Sequence, residues 1–263
     1  MTNQQAYEKN HRSHHYLIHF VRLLILIIFL ALWEITADKN YIDPFFFSSP
    51  SRILICMKEL YQVSHLMSHI GITLAETMIS FSLVLLVSML TAMLLWYHKL
   101  LSEVLDPYLV ILNSIPKSAM APLFIVWLGT GMNTIIVAGI SVAVFGAIIS
   151  LYTAFRQTDP EKLKLITTLG GTKKDQLFKV VLPFNVPVIL GTMKVNIGLA
   201  LVGVIIGEFL AARKGLGYLI IYGSQVFKMS MVITSMFILC LIAVVLYSVL
   251  QILEHRYKKR GPV

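Results

Sequence analysis

Charge is what this chain has least of. Lys, Arg, Asp and Glu together make up 13% of its 263 residues, while 57% are hydrophobic. A soluble domain of this length carries roughly 25% charge, so there is too little polar surface here to solvate a globule. The mean hydropathy of +0.78 points the same way. Cysteine is scarcer still: Cys56 falls in a loop and Cys240 in the middle of an apolar run. They are not placed to meet, which argues against a disulfide framework, and nothing resembles a thiolate metal site. No metal-ligand set is expected. The chain also lacks a Gly-x4-Gly-Lys-Ser/Thr stretch. Any ATP hydrolysis must therefore come from another chain.

What is present is apolar sequence in blocks of membrane length. Residues 21–37 are apolar apart from Arg22 and Glu34, and residues 77–97 hold no charge. Residues 105–127 are interrupted by Pro107, Pro116, Lys117 and Pro122. Residues 133–155 and 229–253 are uncharged, and residues 184–207 carry one lysine, Lys194, and one interior proline, Pro187. A spanning helix needs roughly 20 apolar residues. In lipid every backbone N–H and C=O must be paired internally, so such blocks form helices and not open strands. The expected fold is an all-α membrane protein of about six transmembrane helices. The first block has a basic flank and a passable cleavage site at Ile35-Thr36-Ala37. Its apolar stretch exceeds the roughly 7–15 residues of a signal sequence, so it is expected to stay as an uncleaved first helix.

The net charge of +9 is unevenly placed. One side of the membrane receives Lys9, Arg12, Arg22, Lys99, Arg156, Lys162, Lys164, Lys173, Lys174, Lys179, Arg256, Lys258, Lys259 and Arg260. The other receives only Lys39, Arg52, Lys58, Arg213, Lys214 and Lys228. The richer side is cytoplasmic by the positive-inside rule, which puts both termini there. Membrane lipid, not nucleic acid, is the partner these tails imply, since no nucleic-acid reader motif accompanies the charge. The organisation expected is a cytoplasmic tail (1–16), a transmembrane domain (17–254) and a basic cytoplasmic tail (255–263). An external loop (38–69) and a cytoplasmic loop (156–183) interrupt the membrane domain.

In the external loop, Phe45-Phe46-Phe47 suits either the headgroup level, where aromatics gather, or a docking face. Ser51 can cap a short amphipathic helix to about Val63 on the external surface. The cytoplasmic loop carries denser local signals. Asp159-Pro160-Glu161 is a helix start, with a cap, a proline at the first position and an acid for the dipole. That helix ends at Gly170-Gly171. Thr172 caps a second helix, with Asp175 as a weak capping box, until Leu182-Pro183 stops it. The elbow's apolar residues Leu163, Leu165, Ile166 and Leu169 are too many for a free solvated loop. By themselves they admit two covers: a partner protein or the chain's own helices.

The elbow's spacing resembles the signature of permease subunits of binding-protein-dependent ABC importers: a Glu-Ala-Ala triplet, three residues, Gly, nine residues, then Ile-x-Leu-Pro. Here Lys164-Leu165-Ile166, Gly170 and Val180-Val181-Leu182-Pro183 stand at those intervals. The triplet departs, with Lys in place of Glu, though Lys and Leu keep the helix. A Glu-specific salt bridge to the ATPase would be lost or reversed in sign. Residues 115–131 (IPKSAMAPLFIVWLGTG), Gly207-Glu208-Phe209 with Gly215-Leu216-Gly217-Tyr218, and Ser48-Ser49-Pro50-Ser51 are similar to the nitrate/sulfonate/taurine subfamily. Glu76 stands where that subfamily is expected to have a basic residue.

The resemblance implies a MetI-like fold in a bacterial inner or plasma membrane. It implies a homodimer on two ATPase subunits that bind ATP and Mg, served by an external or periplasmic substrate-binding protein. No cofactor is implied in this chain. The coupling residues implied are Leu163, Lys164, Leu165, Leu169, Gly170, Gly171, Thr172, Asp175, Phe178, Leu182 and Pro183. The solute class implied is an aliphatic sulfonate, taurine, nitrate or a vitamin-precursor pyrimidine.

Several residues are pathway or gate candidates. Lys117 and Lys194 are charges at membrane depth, where charge defaults to function. Lys117 could instead meet carbonyls freed by Pro116 and Pro122, and Lys194 could pair with Glu76 or Glu208. Glu208 could serve a gate or reach headgroup water. Asn113, Ser114, Ser141 and Asn196 could line a pathway or glue helices together. Gly139, Gly146, Gly198 and Gly203 allow close helix approach. His11, His14, His15 and His19 are expected in a flexible tail. A secondary transporter would show broken helices in two matching halves, and no convincing repeat is present. A membrane enzyme would pair a histidine with a carboxylate at membrane depth, and no apolar block does so.

Overall fold

The computed structural model describes residues 3–63 and 65–260, with side chains from 17 to 257 apart from 19 and 64. The side chains of His11, His14, His15 and His19, and of Lys9, Arg12, Lys258, Lys259 and Arg260, lie outside the described residues. All regular structure among the described residues is helical: α1 (Asn3–Asp38), α2 (Pro44–Phe47), α3 (Pro50–Val63), α4 (Leu66–Tyr97), α5 (Lys99–Ser114), α6 (Lys117–Leu128), α7 (Met132–Arg156), α8 (Pro160–Thr168), α9 (Lys173–Gln176), a π-helical turn (Leu177–Val181), α10 (Leu182–Phe184), α11 (Val186–Ala211), α12 (Leu216–Gln225) and α13 (Met229–Arg260). Among the described residues five helices are long and apolar enough to cross a membrane. The pair α5 and α6, bent by 94°, makes a sixth span if it counts as one.

The residues fall into two compact units, 1–64 with 223–234, and 65–222 with 235–263. In the first, Asp43 caps α2 by accepting from Phe45 N at 2.8 Å. Ser51 does not cap α3. Its hydroxyl and amide both go to Glu34 at the end of α1, at 2.6 and 3.0 Å. Ser49 takes the capping place, its hydroxyl accepting from Arg52 N at 3.4 Å.

In the second unit α4, α7 and α11 pack against one another and α5 and α6 lie along α7. α7 and α11 approach each other closely. A Cβ on Gly203 would lie 2.8 Å from both Ala138 O and Gly139 Cα, so only glycine lets these backbones meet. Small residues at such crossings are how membrane helices pack without a hydrophobic drive between them. Gly198 differs, since a Cβ there would meet nothing within 4 Å.

The second span begins at Leu66, eleven residues before the uncharged block at 77–97. Ser68, His69, Thr73 and Glu76 dilute the hydropathy of that stretch without breaking its helix. The segment after α11 contains the ten-residue helix α12.

Candidate functional site

The cytoplasmic elbow is built from local hydrogen bonds. Asp159 Oδ1 accepts from Glu161 N at 2.9 Å and opens α8. At the other end Gly170 N donates to Thr167 O at 3.0 Å and Gly171 N to Ile166 O at 2.8 Å. This is the double closure of a Schellman motif, and it requires the left-handed backbone Gly170 adopts, at φ +80°. Thr172 and Asp175 then form a full capping box: Asp175 N donates to Thr172 Oγ1 at 3.3 Å, and Thr172 N to Asp175 Oδ2 at 2.9 Å. Lys179 lies 2.8 Å from Asp175. That ammonium first, and the Thr172 donors after it, hold the Asp175 carboxyl well below the usual carboxylate range.

Two side chains fix the elbow in place. Gln176 Nε2 donates to Leu163 O at 3.0 Å and Thr167 Oγ1 at 2.8 Å, tying α9 to α8. Lys173 Nζ donates to Tyr97 O at 2.6 Å, which anchors α9 to the end of α4. Beneath it Leu177 and Val181 are buried with Ala92, Leu151 and Phe155, and Leu163 and Leu182 pack against them. The chain's own helices therefore cover Leu163. They leave Leu165 58%, Leu169 74% and Phe178 54% exposed, and Lys164 is exposed beside them.

Pro183 does not stop the helix. The chain widens into the π turn, where Leu182 N donates to Leu177 O, and continues through α10 towards α11. A proline ring clashes with the carbonyl four residues back in an α-helix; a wider turn is one way to accommodate it. Asn185 secures the joint, its Nδ2 donating to Thr158 Oγ1 and Val181 O, both at 2.8 Å. Asn185 and Thr158, both buried, escaped the reading of the sequence. The pattern Asn185-Val186-Pro187, a cap residue before a helix-starting proline, is the signal for the former.

At membrane depth the structure separates the polar candidates. Lys117 sits at the first position of α6, just past the break. Its Nζ donates to Leu112 O and lies 5.0 Å over the Phe145 ring. Pro116 has no N–H to offer that carbonyl, so the lysine supplies the missing donor. Pro122 lies inside α6, and Asn113 is exposed near Gly146. The Ser114 hydroxyl donates to Val110 O at 2.9 Å and that of Ser141 to Ala138 O at 2.8 Å, local bonds within their own helices. Lys194 pairs with neither Glu76 nor Glu208. It reaches Glu254 on α13 at 2.5 Å. Asn196 is buried on α11, its Nδ2 donating to Thr192 O at 2.7 Å.

Glu208 does not reach headgroup water; it is 1% exposed. Thr73 Oγ1 donates to it at 2.6 Å and Gly217 N at 2.5 Å, and the Glu76 carboxyl lies beside it. Around this carboxylate His69 Nδ1 accepts from Gly215 N at 2.9 Å, and its ring stacks on Tyr218 at 6.2 Å. Glu76 is thus a mid-helix residue beside Glu208. The early start of α4 also puts a histidine and a carboxylate in one span. His69, Thr73 and Glu76 are spaced four and three apart, along one helical face, and that spacing is the signal that was available. Their hydrogen bonds fasten the first turn of α12 to α4 and α11.

Residues 84–260 match the family described as binding-protein-dependent transport system inner membrane component. The chain is 30% identical over 236 residues to a probable ABC transporter permease protein of Haemophilus influenzae, covering 89% of this chain and 95% of that one. It is 26% identical over 232 residues to the formylaminopyrimidine transport permease protein ThiX of Halalkalibacterium halodurans, covering 88% and 92%. A solved structure of the MetNI methionine ABC transporter, inward-facing, shares the fold with a TM-score of 0.61. It is 20% identical and covers 74% of this chain and 95% of that chain. The multi-pass helical architecture and the family match over most of the chain agree: this protein belongs to the inner-membrane permease components of binding-protein-dependent ABC transport systems.

Proposed function

We propose that two copies of this chain form the translocation pathway for a small polar or anionic organic solute. A separate ATPase, binding ATP and Mg, drives them through the α8–α9 elbow, with both termini on its side of the membrane. An external binding protein delivers the solute. Relatives named for aliphatic sulfonates, taurine and formylaminopyrimidine support that solute class. The observation that carries the coupling assignment is the elbow's construction. It is capped at both turns and pinned by Gln176 and Lys173, yet it leaves Leu165, Leu169 and Phe178 exposed. A rigid apolar knob on the basic side of the membrane fits a groove in a partner protein.

The test is uptake by liposomes holding the purified permease–ATPase complex, with the binding protein supplied outside and ATP inside. Accumulation that needs both ATP and the binding protein is expected. Solute movement by the permease alone, without ATP, would contradict the proposal.

A further inference from the structure

We propose that the pocket between α2, α3 and the turn leading into α13 binds the headgroup of an anionic phospholipid. The site does not depend on which solute the permease carries. The pocket has a volume of about 550 Å³ and is built within one unit of the chain, residues 1–64 with 223–234. α3 gives it a whole face, with Arg52, Ile55, Cys56, Glu59, Leu60 and Val63 recurring at helical spacing. Phe45 of α2, and Phe227 and Lys228 of the turn, line it too.

Its place in the chain puts it at a membrane surface. Phe20–Asp38 and Met229–Tyr257 are spans. The pocket takes up the chain just after the first and just before the second, at the level where headgroups lie. Phe227 ends α12 by the same double closure that Gly170 makes in the elbow. Lys228 N donates to Gly223 O at 2.8 Å and Phe227 N to Ser224 O at 3.3 Å. Phe227 is thereby held in the left-handed region, at φ +56°, which is costly for a residue with a Cβ. The strained turn keeps its ring 69% exposed, as aromatic rings at the headgroup level are.

Charge selects the headgroup. Arg52 and Lys228 are exposed, and among the described residues neither is in an ion pair. Arg52 spends one N–H on Pro44 O at 3.3 Å and keeps the rest of its guanidinium for a phosphate. Glu34, a carboxylate near Arg52, is taken up by Ser51. Glu59 is the one acid in the lining against two cations, which leaves a net charge of +1. A phosphodiester held by Arg52 and Lys228 neutralises it, and Glu59 accepts from headgroup hydroxyls such as those of a glycerol. Ile55, Val63 and Phe45 receive the first methylenes of the chains. A phosphatidylcholine headgroup brings no net charge and no O–H donor.

Cys56 reports on the pocket because it lines it. Cys240 is replaced by Ser, and N-ethylmaleimide labelling of Cys56 is followed by the mass of its peptide. The sample is the permease–ATPase complex in neutral detergent, with lipid removal confirmed by phosphorus analysis. Burial pushes the Cys56 thiol up, so labelling is run at alkaline pH. The probes are short-chain phosphatidylglycerol, short-chain phosphatidylcholine and inorganic phosphate. Phosphatidylglycerol is expected to protect Cys56 at a concentration roughly tenfold below phosphatidylcholine, the size of effect that basic side chains have at an anionic lipid surface. Phosphate is expected to give no protection. Arg52→Gln/Lys228→Gln should remove the difference between the lipids. If that variant fails to assemble, the three probes on the Cys240→Ser protein decide alone. Equal or better protection by phosphatidylcholine, protection by phosphate, or protection by no probe overturns the proposal. So does a Cys56 that resists labelling in the lipid-free complex, the result expected if a second copy or another protein covers the pocket.

Discussion

Thr73 stands between two partners: its hydroxyl donates to Glu208 at 2.6 Å and accepts from Leu216 N at 2.9 Å. One side chain on α4 thus joins the end of α11 to the start of α12. Glu208 accepts from the Thr73 hydroxyl and from the Gly217 amide.

Glu208→Gln puts an amide where two donors converge, and a buried donor left without its acceptor costs roughly 1–3 kcal/mol. A lowered melting temperature in detergent is expected. Thr73→Val should also destabilise, while Thr73→Ser, which keeps the hydroxyl, should stay near the wild type. An unchanged melting temperature for Glu208→Gln would refute its role as the acceptor that joins α4, α11 and α12.

Two glycines on one helix are expected to respond oppositely to alanine. A Cβ at Gly203 would press on the backbone of α7, an overpacking that costs about 1–3 kcal/mol. At Gly198 a Cβ finds open space, and alanine should gain roughly 0.5–1 kcal/mol from its helix preference. Thermal unfolding of the two single variants checks the sign of each.

Asp175 makes a prediction about pH. Lys179, then Thr172, hold its carboxyl below the ordinary value. For a depressed carboxyl the stabilising contribution is present above the unfolded value, near 3.9 for aspartate. It fades only as pH falls through the lower folded value. At neutral pH, Asp175→Asn should therefore speed amide exchange across residues 172–181. At about pH 4 the wild-type elbow should still be protected. Loss of wild-type protection well above that pH would contradict the depressed carboxyl.

Lys164 stands where the family signature carries an acid, so its proposed partner on the ATPase is acidic. Lys164→Glu should weaken association with the ATPase. The change should be modest, since exposed ion pairs contribute roughly 0.2–1 kcal/mol. Unchanged affinity in a titration of the two purified proteins would remove this pairing.

The elbow is legible in the sequence because its signals are local. A cap, a proline, two glycines and a capping box sit within a few residues of the bonds they make, and each recurs in the structure at the position its chemistry requires. The apolar blocks are legible for a similar reason, since lipid imposes one length on all of them. The Glu208 cluster is not legible. Its members lie on α4, α11 and α12, and only the folded chain shows that Thr73 and Glu76 face Glu208. The partner of Lys194 was hidden likewise, because Glu254 lies just past the apolar block on α13. Pro183 misled because a proline reads as a stop in a regular α-helix, and the π turn that admits it has no strong sequence mark.

The claim that matters most is that the exposed knob of the elbow seats the ATPase. The direct measurement is affinity purification of the tagged permease in mild detergent, comparing the wild type with a Leu165→Ser/Leu169→Ser variant. Both residues are exposed, so the variant should fold and enter the membrane as the wild type does. An ATPase that accompanies the wild type and is absent from the equally abundant, monodisperse variant is the predicted result. An ATPase recovered in equal amounts with both would contradict the coupling role of the elbow.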